Sequence, residues 1–406
     1  MSIPSYRDPE LPHTIRTCLA NADRPDCVRI FALAQDSDLD PDPAAESRRV
    51  LRRSGIKDKT VEELLQSVTV ARLPASQARG APIARAMIEK QILAEANNSD
   101  FVLMVDSHTL FLRGWDSYLR DEILKCGSKQ AILSTYPFNY NRGDREKILK
   151  LNREAQSHCS SEHAMESGTF MTIAGFLPAD DSALPRYDSR PFAQIPETPY
   201  KSLAWAACLS FAPVRAHRQV PYVNWPDVHF GEEHAMHARF HTAGWTVYHP
   251  TRMPMLTHFD RSYRPIPFGA HDEPDVFRRR RAEGFARVRR ALGLDGATGR
   301  PECDLGKRPL DEVHALLGVV VPQERQPTVA LSRAAGLVGL KSKHEMEDKY
   351  GSPAKAAERL EELSNTSWVD ASNQAAEVTA TAKKVQWKAK ETPAHVTIND
   401  DPFYFA

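Results

Sequence analysis

The stretch that decides the fold is Phe101-Val102-Leu103-Met104-Val105, followed at once by Asp106, Ser107 and His108. Five apolar residues without polar alternation are typical of a strand that is buried on both faces of a parallel sheet. Ligands of open parallel sheets bind beyond the carboxyl ends of the strands. The sequence therefore predicts that Asp106 and His108 lie at a ligand site.

The sequence on either side of this strand alternates between strand and helix patterns. Residues 28–33 (VRIFAL) and 67–73 (SVTVARL) are predicted strands, and residues 9–20 and 83–96 carry helical spacing. Pro82 stands where the first turn of the second helix is expected, a position that proline favours. This alternation predicts an α/β fold with a mostly parallel, Rossmann-like sheet flanked by helices.

The middle and the end of the chain carry weaker patterns. Residues 139–200 are polar and rich in proline, which predicts an insertion, either on the acceptor side of the site or merely on the surface. Later segments regain order: a helix at 231–243, a strand at 245–249, a basic helix at 277–294 and a further ordered stretch at 310–317. We expect one domain over 1–322 and a partly helical or disordered tail over 323–406, where large apolar residues are few.

The composition excludes several classes of protein. Lys+Arg and Asp+Glu balance at 53 each, so no global charge favours a nucleic acid or a membrane surface. No window approaches the roughly 20 apolar residues that a membrane helix needs, and the first residues do not resemble a secretory signal. The six cysteines are scattered without a C-x-x-C pair. These features predict a soluble cytoplasmic protein with reduced thiols.

Two further groups belong with Asp106 and His108. Glu232 and Glu233 follow Gly231 at the start of a predicted helix, where the helix dipole favours carboxylates, so simple capping is the competing interpretation. His258 follows the strand at 245–249 and a proline-bearing turn. It can complete a site of one carboxylate and two imidazoles, which suits Mn²⁺, whereas Mg²⁺ prefers more oxygen ligands.

Several blocks in the same order give the chain a family resemblance. They are SIPSYRDPELPHTIRTCLANADRP at 2–25, ARGAPIARAMIEKQ at 78–91, VDSHTLFLRGWD at 105–116, FGEEHAMHARFHTAGWTVYHP at 230–250 and LGKRPLDEVHALLGV at 305–319. The chain resembles glycosyltransferase family 60, the cytoplasmic polypeptide and hydroxyproline N-acetylglucosaminyltransferases. The resemblance implies a GT-A fold, a UDP-sugar donor such as UDP-GlcNAc, a divalent metal, retention of anomeric configuration and a hydroxyl of a protein as acceptor.

The resemblance also implies roles for particular residues. Asp106, His108 and His258 become metal ligands, and Asp106 is also a donor contact. Glu232 and Glu233 become candidates for sugar binding or catalytic support. The remaining candidates bind the donor, through its uridine or through its phosphates and sugar: Ser5, Tyr6, Arg7, Asp8 and Arg85.

The sequence departs from the family at two places. The chain starts almost on the SI-x-SYRD block, so the first strand must be short. Gly80-Ala81-Pro82-Ile83 stands where the family often has Gly-Pro-Cys, which leaves donor specificity open.

Other functions remain as alternatives. The same chemistry on a modified nucleic acid or a small molecule is supported by the basic helix, and a non-catalytic binding module is also open. A metalloprotease is a poor alternative. His237 and His241 have the spacing of that motif, but Ala238 occupies the position of its general base.

Overall fold

The computed structural model describes residues 1–54, 58–158, 168–176, 184–192, 194–202, 204–228, 230–266, 273–294 and 299–317. Its strands are, in chain order, β1 Ser2–Tyr6, β2 Ile30–Asp36, β3 Val68–Pro74, β4 Phe101–Val105, β5 Thr109–Phe111, β6 Ala131–Ser134, β7 Phe138–Asn139, β8 Thr169–Phe176, β9 Pro185–Pro191, β10 Tyr200–Lys201, β11 Leu209–Pro213, β12 Thr246–His249 and β13 Met255–Thr257.

Ten helices accompany these strands in the described ranges. They are α1 Leu11–Ala20, α2 Pro43–Arg53, α3 Asp58–Leu65, α4 Ala81–Glu95, α5 Trp115–Lys125, α6 Arg145–His158, α7 Val214–Gln219, α8 Glu232–Thr242, α9 Pro274–Ala291 and α10 Leu310–Leu317. Pro82 lies in the first turn of α4, as predicted.

An eight-stranded mixed sheet forms the centre of the molecule, in the order β10-β12-β6-β11-β4-β1-β2-β3. Strands β3, β2, β1 and β4 run parallel, and β11 lies antiparallel between β4 and β6. Strand β4 has the predicted bounds, and four of its five residues are buried. The predicted α/β class, a GT-A-like mixed sheet flanked by helices, is confirmed.

Helices cover both faces of the sheet and bury two apolar clusters. One cluster joins α4, α8 and α9 to the sheet through residues such as Ile88, Met236 and Val288. The other joins α1 and α5 to the opposite face through residues such as Ile15, Phe111 and Leu119. Both layers remove apolar side chains from water, which is the main favourable contribution to folding.

Residues 139–200 contain more regular structure than their sequence predicts. Helix α6 accounts for 145–158, and strands β8 and β9 form an antiparallel hairpin with a register irregularity between Ile173 and Gly175. A small second sheet, β5-β13-β7, lies beside the start of this region. The predicted role of residues 139–200 on the acceptor side of the site is a prediction about function and not about fold.

The predicted tail at 323–406 lies outside the described residues. Among the described residues, no helix is long and apolar enough to cross a bilayer. Cys18, Cys27, Cys126, Cys208 and Cys303 are free thiols.

Candidate active site

The candidate site lies where β1 and β4 end, side by side in the sheet. Strand β1 is followed by Arg7 and Asp8, and β4 by Asp106 and His108. The second sheet adds a third segment, because β13 pairs with β5 and places Thr257 opposite Thr109. The backbone N–H of His258 donates to the carbonyl oxygen of His108 at 3.1 Å. The structure therefore brings Asp106, His108 and His258 together.

The ring of His108 is oriented by a carboxylate. Its Nδ1 donates to Oδ2 of Asp8 at 2.8 Å, so in a neutral ring Nε2 is the nitrogen that can bind a metal. That Nε2 is buried without a hydrogen-bond partner and lies 3.5 Å from Oδ2 of Asp106. A carboxylate that fixes the far nitrogen of a histidine is the arrangement typical of metal-binding imidazoles.

His258 is oriented in the same way by a backbone carbonyl. Its Nδ1 donates to the carbonyl oxygen of Tyr140 at 2.7 Å, so its Nε2 also keeps a lone pair. In the described part of the chain, no three His, Cys, Asp or Glu side chains are already grouped in metal-binding geometry. The residue types fit a divalent transition metal, since two imidazoles and one carboxylate lie at this edge of the sheet and Nε2 of His108 is buried without a hydrogen-bond partner.

The carboxylate of Asp8 makes its hydrogen bonds with other groups of the protein. It accepts hydrogen bonds from Ser107 Oγ (2.6 Å), Tyr263 Oη (2.9 Å) and the backbone N–H of Glu10 (2.9 Å), besides its contact with His108. Burial by itself raises the pKa of Asp8, but the hydrogen bond and charge of His108 outweigh it, and the pKa lies well below its usual range. Asp8 is therefore a buried anion whose contacts orient His108.

Asp106 also belongs to a chain of charged groups that reaches α8. Arg85 on α4 donates to Oδ1 of Asp106 at 3.0 Å and to Oε1 of Glu232 at 2.8 Å, and Glu232 also accepts from the hydroxyl of Tyr222. Burial opposes ionisation of Asp106, but His108 and then Arg85 hold its pKa well below the usual range. Arg85 thus links a predicted metal ligand to a predicted sugar-binding carboxylate.

Glu233 has a different environment from its neighbour. It accepts a hydrogen bond from the hydroxyl of Tyr136, which follows β6. Burial, followed by the charge of Glu232, raises the pKa of Glu233 to about 8, although the Tyr136 hydrogen bond acts in the other direction. Glu233 is therefore mainly protonated at neutral pH, and a neutral carboxyl can donate a hydrogen bond.

The loop after β13 adds two arginines to the site, Arg261 and Arg264, which were not singled out from the sequence. Nη1 of Arg261 donates to the carbonyl oxygen of His258, and its Nη2 lies 3.9 Å from Oδ2 of Asp106. Arg264 donates to the carbonyl oxygen of Tyr6 at 3.1 Å, and its Nε lies 3.4 Å from Oδ2 of Asp8. Two arginines within six residues of His258 were the available signal.

Comparison with known proteins identifies the family of this protein. The sequence profile described as "Glycosyltransferase (GlcNAc)" matches residues 48–295, more than half of the chain. The chain belongs to the GlcNAc glycosyltransferase family. No curated protein sequence matches it significantly.

Solved structures of low sequence identity are similar to this glycosyltransferase. One is GalNAc-T7 with UDP, GalNAc and Mn²⁺, at 12% identity and a TM-score of 0.43 over 78% of this chain. Another is TarS from S. aureus, at 14% identity and a TM-score of 0.39 over 77% of this chain. These matches cover 49% and 41% of the neighbours' own chains. A third is residues 1–349 of S. aureus TarS with UDP-GlcNAc, at 13% identity and a TM-score of 0.39, covering 100% of this chain and 98% of the neighbour.

The predicted uridine block, Ser5 to Asp8, lies at the end of β1. Ser5 is buried in β1 with an Oγ that lacks a hydrogen-bond partner. Arg7 has a left-handed φ of 47° and pairs with Asp40, Nε to Oδ2, at 2.7 Å. Asp36, at the end of β2, has a buried Oδ2 without a hydrogen-bond partner, and burial raises its pKa to about 6. Sequence reasoning did not single out Asp36 or Asp40.

Trp115 has a structural role beside the candidate site. It is buried, its Nε1 donates to the carbonyl oxygen of Cys18 at 2.9 Å, and its ring packs on Phe111. These contacts attach the start of α5 to α1 and β5, underneath the segment that carries His108.

Proposed function

We propose that this glycosyltransferase transfers N-acetylglucosamine from UDP-GlcNAc to a hydroxyl group, with a divalent metal, Mn²⁺, bound by Asp106, His108 and His258. The observation that carries the proposal is the pair of oriented imidazoles whose free Nε2 atoms accompany Asp106. A divalent ion at this position would neutralise the negative charge on the departing diphosphate.

The residues of the chain have distinct tasks in this proposal. Asp8 holds the ring of His108 in its ligand tautomer. Arg85 and Arg261, both next to Asp106, supply positive charge for the donor phosphates, where preorganised charge is most effective. The nucleoside end of the donor would lie against Ser5, Tyr6 and Arg7. There Oδ2 of Asp36, which has no hydrogen-bond partner in the protein, can accept a hydrogen bond from the base.

The two glutamates at the start of α8 would serve the sugar. Glu232 is held in place by hydrogen bonds from Arg85 and Tyr222 and can accept further hydrogen bonds from sugar hydroxyls. Glu233, protonated at neutral pH, can donate one to a sugar or leaving-group oxygen. We propose retention of configuration, in which the donor phosphate accepts the proton of the acceptor hydroxyl, so that no separate general base is required.

The acceptor we propose is a hydroxyl of a cytoplasmic protein, as in glycosyltransferase family 60, where hydroxyproline is modified. The support is the ordered set of sequence blocks from residue 2 to residue 319. Residues 139–200, with the β8–β9 hairpin, are the proposed acceptor side, because Tyr187 of this hairpin lies close to Glu233.

A second acceptor class, a nucleic acid, is favoured by α9. This helix carries seven arginines and two acidic residues, and Arg278, Arg279, Arg287 and Arg290 are exposed. Such a surface attracts phosphodiesters. Binding to a DNA duplex that weakens steeply between 50 and 200 mM salt, and that is reduced in Arg279→Glu, would favour this class over a protein acceptor.

The test of the proposed function is hydrolysis of a panel of UDP-sugars with Mn²⁺ and with EDTA. We expect release of UDP from UDP-GlcNAc that requires metal and falls at least 100-fold in Asp106→Ala. Asp121→Ala on the exposed face of α5 is the control and should match the wild type. Equal turnover with EDTA, or equal turnover in Asp106→Ala, would refute the metal role, and release from another sugar would correct the donor.

A further inference from the structure

A chain of hydrogen bonds crosses three elements directly behind Glu233. The hydroxyl of Tyr187 on β9 lies 3.0 Å from Nδ1 of His234 on α8. Nε2 of His234 lies 3.4 Å from Nδ1 of His314 on α10, and Nε2 of His314 lies 2.8 Å from the carbonyl oxygen of Leu292. Both histidines are buried.

The carbonyl at the end sets the direction of the whole chain. A carbonyl oxygen only accepts, so Nε2 of His314 carries the hydrogen and Nδ1 of His314 accepts from Nε2 of His234. Nδ1 of His234 must then accept from the hydroxyl of Tyr187. Burial lowers the pKa of both imidazoles, so both are neutral, as this direction requires. Every donor and acceptor in the chain is satisfied in one way only.

We propose that Tyr187 and His314 are positioning residues of the active site, which act through His234 to fix the first turn of α8 and thereby Glu232 and Glu233. His234 is the next residue after Glu233, and it is held on one side by the hairpin and on the other by α10. This inference rests on the proposed function, because it assigns those two carboxyls their place around the sugar.

The assignment makes α10 part of the catalytic unit. The family profile ends at residue 295, whereas α10 spans Leu310–Leu317. Leu310 and Val313 join the same apolar cluster as Met236 of α8, so the helix is attached to the body of the enzyme and does not merely follow it. A second contact, between His241 and Glu312 at 3.0 Å, joins α10 to the far end of α8.

The pKa of Glu233 can report whether the first turn of α8 is in place, because burial of this carboxyl raises its pKa. The ionisable groups that face Glu233 come from six elements or their ends: Tyr136 after β6, Glu232 on α8, Arg85 on α4, Asp106 after β4, Tyr187 on β9 and Cys208 before β11. If the first turn loosens, water reaches the carboxyl and its pKa falls towards the ordinary carboxyl range.

The experiment compares His314→Leu and His314→Asn in the full chain. Leucine removes both hydrogen bonds, whereas the amide oxygen of asparagine can replace Nδ1 as the acceptor for His234. For His314→Leu we expect a fall in kcat for UDP-GlcNAc hydrolysis with Mn²⁺ of about 10- to 100-fold. We also expect a lower pKa for Glu233 in a ¹³C NMR titration of glutamate side chains, and unchanged affinity for UDP with Mn²⁺. His314→Asn should restore most of the kcat and of the pKa.

Glu312→Gln is the matched control, since it weakens the other contact between α8 and α10. It should lower the melting temperature without moving the pKa of Glu233. If His314→Leu matches Glu312→Gln in kcat and in that pKa, the positioning role is refuted. Tyr187→Phe tests the other end of the chain and should reproduce the His314→Leu effects, so the test survives if the leucine variant fails to fold. Absent hydrolysis by the wild type would refute the proposed function, while the NMR titration would still decide the positioning role.

Discussion

At the scale of single residues, the site depends on which nitrogen of each histidine carries hydrogen. His108 and His258 both direct Nδ1–H towards an oxygen of the protein, and both leave Nε2 for a ligand. The two oxygens differ, because Asp8 brings a full negative charge and the carbonyl of Tyr140 only a dipole. A carboxylate behind a histidine generally makes it a stronger metal ligand than a carbonyl does, so we expect His108 to be the stronger ligand of the two.

Asp8→Asn tests this orientation. The variant keeps the size of the side chain but removes the charge beside His108, so we expect Mn²⁺-dependent binding of UDP to weaken about 10- to 100-fold. Calorimetric titration with Mn²⁺ and with EDTA measures it. Asp116→Asn is the control, because the carboxylate of Asp116 accepts its hydrogen bonds from the backbone N–H groups of Asp23 and Arg24, neither of which belongs to the candidate site. An equal loss of affinity with and without metal would instead indicate a direct uridine contact of Asp8.

Glu233→Gln tests the protonated carboxyl. The folded pKa of about 8 means that Glu233 can donate a hydrogen bond at pH 7 and loses this ability as the pH rises through 8. We expect the KM for UDP-GlcNAc of the wild type to rise above pH 8 and that of Glu233→Gln to stay nearly constant, because glutamine donates at any pH. Steady-state kinetics from pH 6 to 9.5 decide it, and the same rise in both proteins would contradict this role.

The sequence predicted the position of Asp106 and His108 in the fold better than that of the other residues around them, for a physical reason. Asp106 and His108 follow a strand whose burial is evident from five apolar letters, so their location at the sheet edge could be derived. Tyr136, Tyr222 and Arg261 reach the site from loops whose course depends on tertiary packing. No local periodicity marks such residues, although the nearness of Arg261 to His258 in the sequence was a usable signal.

At the scale of elements, the start of α8 is set by the glycine before it. Gly231 has a left-handed φ of 90°, and an added Cβ would lie 2.5 Å from Leu184 Cδ1 and 2.8 Å from Val288 Cγ1. The glycine therefore lets the hairpin region and α9 approach the turn that presents Glu232. Side chains other than glycine are strained in this backbone conformation.

Gly231→Ala should therefore lower the free energy of unfolding by more than its backbone strain of about 1–2 kcal/mol, because steric overlap is added. Gly127→Ala is the control, since its φ is also positive, 62°, but no atom lies within 4 Å of the added Cβ. Urea unfolding of both variants separates the two contributions. Equal losses of unfolding free energy in Gly231→Ala and Gly127→Ala would show that Leu184 and Val288 move aside for the added methyl group without a measurable cost.

Helix α6 shows where element prediction failed. Its residues are mostly charged or polar, and most of those whose burial is described face solvent, Leu149 and Asn152 being buried. Such a helix has too narrow an apolar stripe for the 3.6-residue period to be visible in the sequence. The strands around the site were predicted within a few residues because the sheet buries them on both faces.

At the scale of the whole molecule, buried neutral histidines govern the response to acid. Burial lowers the pKa of His13 and His249 to about 4 and that of His237 to about 3, all below the usual 6.5. The unfolded chain then binds more protons than the folded one as the pH falls below 6.5, so stability is lost in that direction. Glu233 and Asp36 have raised pKa values in the folded protein and act in the opposite direction. Their contribution to stability falls as the pH rises towards about 8 for Glu233 and about 6 for Asp36.

The free energy of unfolding should therefore be greatest near pH 6.5. Below pH 6.5 it should fall towards pH 4.5. Each buried histidine lowers it by up to about 1.4 kcal/mol per pH unit, and each of the two carboxyls, Glu233 and Asp36, cancels the contribution of one histidine. Towards pH 8 it should change little, because the ionisation of Glu233 is offset by the Met1 ammonium, whose pKa burial lowers to about 6. Urea unfolding at intervals from pH 4.5 to 8.5 measures this profile. A flat profile below pH 6.5 would show that the buried imidazoles accept protons without loss of the fold.

The antiparallel strand β11 also decides when, during synthesis, the enzyme can become complete. Strands β4 and β6 leave the ribosome roughly 80 to 110 residues before β11, yet β11 must lie between them. Until residue 213 has emerged, β4 and β6 each expose an unpaired edge, which is a hazard for aggregation. The nascent chain can assemble β1 to β4 early, but the sheet edge that carries Asp106 gains its last neighbour only after half of the chain has been made. Slowing translation before residue 209 should therefore increase the demand for chaperones, whereas slowing it after residue 250 should have little effect.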